Sequence, residues 1–91
     1  MKLHIALCDD DRAWRDHMIR LLEGYGKEKG IEMLLTSYGS GESMLAEESL
    51  CPDAAFLDIE LSENPEDRYG SGLMLAREIN RLWPLCQIVY L

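Results

Sequence analysis

Leu3-His4-Ile5-Ala6-Leu7-Cys8-Asp9-Asp10-Asp11 is the stretch on which the fold turns. A short, mostly apolar run reads as a strand covered on both faces, as strands of a parallel sheet are. It ends abruptly in three acids. A helix follows: Trp14, Met18, Leu21, Leu22 and Tyr25 fall at helical spacing, with charged residues in the other positions. One of the aspartates can cap the start of that helix, and Gly26 and Gly30 bracket its end.

Outward from there the pattern repeats. Ile31 to Tyr38 is a second strand candidate. Gly39-Ser40-Gly41 breaks it, and Ser40 can cap a short helix reaching about Ser49. Pro52-Asp53 leads into a third strand, Ala54-Ala55-Phe56-Leu57-Asp58, followed by a polar loop from Ile59 to Ser71. Leu73, Ala76, Ile79, Leu82 and Trp83 mark an amphipathic helix that Pro84 ends, and Gln87 to Leu91 begins a fourth strand. Alternating strands and helices imply an α/β fold with a parallel sheet and right-handed crossovers. Residues 1–91 read as one domain, without internal repeat, low-complexity tract or linker.

Composition narrows the function. The chain has 91 residues, 47% hydrophobic and 29% charged, the balance of a small globular domain. Nine Lys and Arg against 17 Asp and Glu give a net charge of -8, which argues against direct nucleic-acid binding by this chain and fits a basic partner or a metal cation. Cys8, Cys51 and Cys86 are odd in number and widely spaced, so they form neither a disulfide framework nor a zinc site; buried thiols in a reducing compartment are expected. His4 and His17 lack metal-ligand spacing and read as a strand-margin and a helix-surface residue. The tryptophans and methionines at helical spacing read as core. Gly39-Ser40-Gly41 lacks the ending of a phosphate loop. No segment is apolar over a membrane-spanning length, and the expected location is cytoplasmic.

In a doubly wound sheet of order 2-1-3-4, strands one and three are neighbours and their carboxyl ends flank the point where the winding reverses, where open α/β sheets bind ligands. With that order, Asp9, Asp10 and Asp58 converge in one cleft. Carboxylates held together take up protons or a cation, and hard oxygen ligands suit magnesium that keeps several waters. Such an ion offsets charge during phosphoryl transfer, and a carboxylate beside it can act as nucleophile. An acid directly after Ala-Ala-Phe-Leu is costly unless it faces such a cleft.

Four motifs in order resemble one family. Leu7-Cys8-Asp9-Asp10-Asp11 looks like the acidic cluster of response-regulator receiver domains, and Phe56-Leu57-Asp58-Ile59-Glu60-Leu61 like their phosphoacceptor strand. Gly72 to Ile79 looks like the start of their third helix, and Gln87 to Leu91 like their fourth strand. The Cys before the acids and the Asp-Ile-Glu are similar to receivers of LytTR-type regulators. The resemblance implies a flavodoxin-like, doubly wound sheet and two-component signalling. It implies that Asp58 accepts phosphate from a phosphohistidine on a sensor histidine kinase. It gives Mg2+ the ligands Asp10, Asp9 (mainly through water), Asp58 and the Glu60 backbone carbonyl, and makes Asp11 an accessory acid or the helix cap.

The sequence departs from the family twice. Ser62 stands where proline is frequent, and Glu63 to Tyr69 looks like an insertion over the rim of the site. The family also places a Ser or Thr just after the fourth strand and a Lys at the end of a fifth. This sequence stops at Leu91, so the fourth helix, fifth strand and last helix lie outside it, as would any C-terminal DNA-binding domain. An apolar edge at strand four and an uncovered first helix then predict a homodimer. Two other functions compete. Asp9 and Asp11 form an Asp-x-Asp after the first strand, as in magnesium-dependent phosphatases and phosphotransferases, although Asp58 then goes unexplained. A receiver-like interaction module that transfers no phosphate is the other. On the leading reading the chain supports its own acyl-phosphate formation and turns over no free substrate.

Overall fold

The computed structural model describes residues 2–47, 49–61, 66 and 68–91. Strands β1 (Lys2–Cys8), β2 (Glu32–Tyr38), β3 (Ala54–Leu57) and β4 (Gln87–Tyr90) alternate with helices α1 (Arg12–Lys29), α2 (Gly41–Leu45) and α3 (Gly72–Leu82). The strands form one sheet in the order β2-β1-β3-β4, and every pairing is parallel. The winding therefore leaves β1 in both directions, and β1 and β3 are neighbours, as the sequence argument required.

Strand alternation divides the core into two layers. Ala6 and Cys8 on β1 pair with Ala55 and Leu57 on β3, and these four fully buried residues pack with Met44 of α2 and Leu75, Ala76 and Ile79 of α3. Ile5 and Leu7 point to the opposite face and are also buried. Met33, level with Leu3 on that face, is where α1 closes down. A Cβ on Gly26 would stand 2.9 Å from the Ile31 carbonyl oxygen and 3.4 Å from Met33 Sδ, so glycine permits the approach.

Several local expectations change. Gly26 lies inside α1; Gly30 alone ends it, in the left-handed region at φ 69°, where a residue without Cβ is favoured. Leu21 and Tyr25 are more than half exposed, and the inward stripe of α1 runs instead through Trp14, Arg15, Met18, Ile19, Leu22 and Gly26. In α3 the buried stripe is Gly72, Leu75, Ala76 and Ile79, which turns Leu73, Met74 and Leu82 outward. Both helices carry more apolar residues than one face accommodates, so spacing alone admits two stripes. Trp83 is the C-cap of α3 rather than part of it. The second helix ends at Leu45, because the backbone then turns through Glu47 to bring Leu50 into the core.

Candidate functional site

Parallel register builds the site. Cys8 is level with Leu57, so the next residues, Asp9 and Asp58, leave the sheet side by side. Two backbone bonds extend the ladder past the strand ends: Asp58 N–H donates to the Cys8 carbonyl at 3.1 Å, and Asp9 N–H donates to the Tyr38 carbonyl at 3.1 Å. One carboxylate oxygen from each of Asp9, Asp10 and Asp58 lies within 4.8 Å of the others. Asp9 is buried, Asp58 half-buried and Asp10 exposed, so the cluster opens to solvent on the Asp10 side.

Each acid is held differently. Asp9 Oδ1 accepts the Asp11 N–H at 2.9 Å, which fixes the turn out of β1. Asp11 accepts the Trp14 N–H through Oδ1 at 3.2 Å and is the N-cap of α1, so of its two expected roles the structure gives it the cap. Asp58 Oδ1 accepts the Glu60 N–H at 3.2 Å, which sets the rotation of its carboxylate. Two ladder bonds flank Glu60, from Gly72 N–H to the Ile59 carbonyl and from Leu61 N–H to the Gly70 carbonyl. Neither uses the Glu60 carbonyl.

Burial and the neighbouring acids both bear on the Asp9 carboxyl. Burial raises the Asp9 pKa above 3.8, and the charges of Asp58 and Asp10 add to the rise, while the Asp11 N–H opposes it. Without a cation, the folded chain then holds the Asp9 proton to higher pH than the unfolded chain does. Stability attributable to Asp9 falls as pH rises from 3.8 through the raised value. Denaturation in EDTA across this range, compared between the native protein and Asp9→Asn, is expected to lose that downward component in the variant.

The neighbouring thiol takes no part in such chemistry. Burial, with the Asp9 charge next, pushes the Cys8 pKa up to about 12. Its thiolate, the reactive form, is negligible near neutrality.

Sequence reading missed two contributors. Gly72 begins α3 with its Cα against the Asp58 carbonyl, and its N–H bonds the Ile59 carbonyl at 2.6 Å. Glycine after a polar loop and a capping serine was the available signal; Ser71 is indeed the N-cap, accepting the Leu73 N–H at 3.2 Å. Arg15 is the second. Its guanidinium lies 3.6 Å from where a Cβ on Gly39 would stand, and its charge is felt at Cys8. Of the expected insertion, residues 63–65 and 67 lie outside the described residues, as does Ser62. Tyr69 at its end packs against Gly41 at the start of α2.

Comparison with solved structures bears on the whole architecture. One match is a fusion carrying the yeast Spc42 trimeric coiled coil, at TM-score 0.74 and 21% identity, covering 99% of this chain and 55% of that one. Another is the two-component response regulator RcsB in complex with DNA, at TM-score 0.73 and 18% identity, covering 99% of this chain and 42% of that one. The fold is that of a response-regulator receiver. RcsB from Salmonella enterica serovar Typhimurium, bound to promoter rprA in the presence of the phosphomimetic BeF3-, matches at TM-score 0.71 and 18% identity, over 97% of this chain and 67% of that one. The receiver-like chain spans about half the length of the first two matches. No family model and no curated protein matches the sequence. Among the described residues, no helix is long and apolar enough to cross a membrane.

Proposed function

We propose that this chain is a phosphoacceptor module of two-component signalling, with Asp58 as the residue that receives the phosphoryl group. The observation that carries the reading is the meeting of Asp9, Asp10 and Asp58 at the carboxyl ends of adjacent strands, on a receiver fold. Three hard oxygen donors with an open, solvent-facing side fit a magnesium ion that retains waters. Asp9, Asp10, Asp58 and the Glu60 carbonyl would hold it. When bound, Mg2+ offsets the charge of the phosphoryl oxygens.

The protein's own part is nucleophile and positioning. A carboxylate oxygen of Asp58 attacks phosphorus as the phosphorus–nitrogen bond of a kinase phosphohistidine breaks, and the proton needed by the departing imidazole comes from solvent. The Glu60 N–H and the Gly72 contact hold Asp58 in place during the exchange. Asp11 is committed to capping α1, which speaks against the Asp-x-Asp phosphatase reading. The chain on this view is a stoichiometric acceptor, not a turnover enzyme, and acts in the cytoplasm. RcsB is described as dimers bound to DNA. A homodimer is proposed here by analogy, with any DNA contact left to other segments because this chain carries a net charge of -8.

Phosphoramidate, a small phosphodonor, tests the proposal. With Mg2+ the chain is expected to gain one phosphoryl group that maps to Asp58 after borohydride reduction, and EDTA is expected to prevent it. Modification elsewhere, or indifference to EDTA, would overturn the reading.

A further inference from the structure

At the opposite pole of the sheet from the acids, a cavity of about 290 Å³ is lined by Cys51, Pro52, Asp53, Leu82, Trp83, Pro84, Leu85 and Cys86. Backbone bonding explains why two cysteines 35 positions apart in sequence line one cavity. Asp53 donates its N–H to the His4 carbonyl at 2.8 Å and accepts the Gln87 N–H at 2.9 Å, so it is clamped between the entrances of β1 and β4. Cys51 stands two residues before that clamp and Cys86 one residue before Gln87. Cys86 is buried and Cys51 exposed, and the Cys86 thiol feels the charge of Cys51.

We propose that Cys51 and Cys86 are a redox-active pair that closes to an intramolecular disulfide across this cavity. A shared metal ion is the competing use of two thiols beside an acid. The Asp53 carboxylate, however, is turned to the His4 N–H at 2.8 Å. Among the described residues, the trio gathered closely enough for an ion is Asp9, Asp10 and Asp58.

The oxidant is a low-molecular-weight disulfide such as oxidised glutathione. The exposed Cys51 thiolate attacks one of its sulfurs; the small S–S bond breaks, one glutathione thiolate leaves, and a mixed disulfide remains on Cys51. Cys86 then loses its proton to water and attacks the Cys51 sulfur, releasing the second glutathione thiolate. In sum, two protein thiols give up two electrons and two protons, and the small disulfide gains them. Cys51 is exposed and Cys86 buried, which assigns the first attack to Cys51, and burial pushes the Cys86 pKa up to about 11. The bridge encloses Asp58 and all of α3 in one covalent loop.

The test is to incubate the native chain with oxidised glutathione, alkylate the remaining thiols and map the peptides. A Cys51–Cys86 linked peptide is expected, reversed by dithiothreitol, with Cys8 alkylated only after denaturation. In Cys86→Ser a glutathione adduct is expected to persist on Cys51. A native chain that accumulates the adduct on Cys51, or a Cys51–Cys51 linked dimer, without the Cys51–Cys86 peptide would overturn the proposal. The native chain decides the matter alone, whether or not the variant folds.

Discussion

Asp58→Asn is expected to reduce phosphoryl incorporation from phosphoramidate to background while making the metal-free protein more stable. An amide cannot form the acyl phosphate, so the chemical loss is complete rather than partial. The gain in stability follows from the same geometry. Carboxylate oxygens within 4.8 Å of one another repel, and removing one of three negative charges at a solvent-facing site relieves about 1 kcal/mol. Asn retains an oxygen to accept the Glu60 N–H, so the local turn survives. Chemical denaturation in EDTA reads the second effect and intact mass the first. A variant that is unlabelled but less stable would mean that Asp58 supports the fold, and that the charge cluster is not under strain.

Gly72→Ala is expected to cost about 3 kcal/mol or more and to weaken divalent-cation binding together with the fold. A Cβ at this position would overlap the Asp58 carbonyl oxygen and stand 2.9 Å from its carbon and 3.1 Å from Ile59 Cα. These are backbone atoms with no side-chain rotation to relieve them. The segment carrying Asp58 and Glu60 must therefore move, or α3 must withdraw from the buried positions of Leu75, Ala76 and Ile79. Thermal unfolding and Mg2+ titration on the same sample check both halves. Unchanged stability would show that α3 does not pin the loop after β3.

The fold was legible in the sequence because the two central strands, β1 and β3, are largely buried and read as short apolar runs. The acids after Cys8 and Leu57 were legible for the complementary reason: a charged residue at the end of a buried strand needs a cleft, a cation or water. Helix faces were less legible. Leu21 and Tyr25 on α1, and Leu73 and Leu82 on α3, satisfy helical spacing yet point outward, because each helix offers two apolar stripes and only the sheet selects between them. The Gly72 contact was signalled only by a glycine after the capping Ser71, since the approach of α3 to the Asp58 carbonyl is tertiary. The placement of Cys51 and Cys86 on one cavity could not be read at all, since it depends on the Asp53 clamp between β1 and β4.

Magnesium titration followed by backbone amide NMR shifts tests the central claim most directly, because it needs only residues that the described site contains. The account predicts saturable shifts centred on Asp9, Asp10, Asp58 and Glu60, with the affinity weakened in Asp10→Asn, whose exposed side chain can be changed without disturbing the core. A well-dispersed spectrum that shows no localised shifts at millimolar Mg2+, or equal affinity in Asp10→Asn, would contradict it.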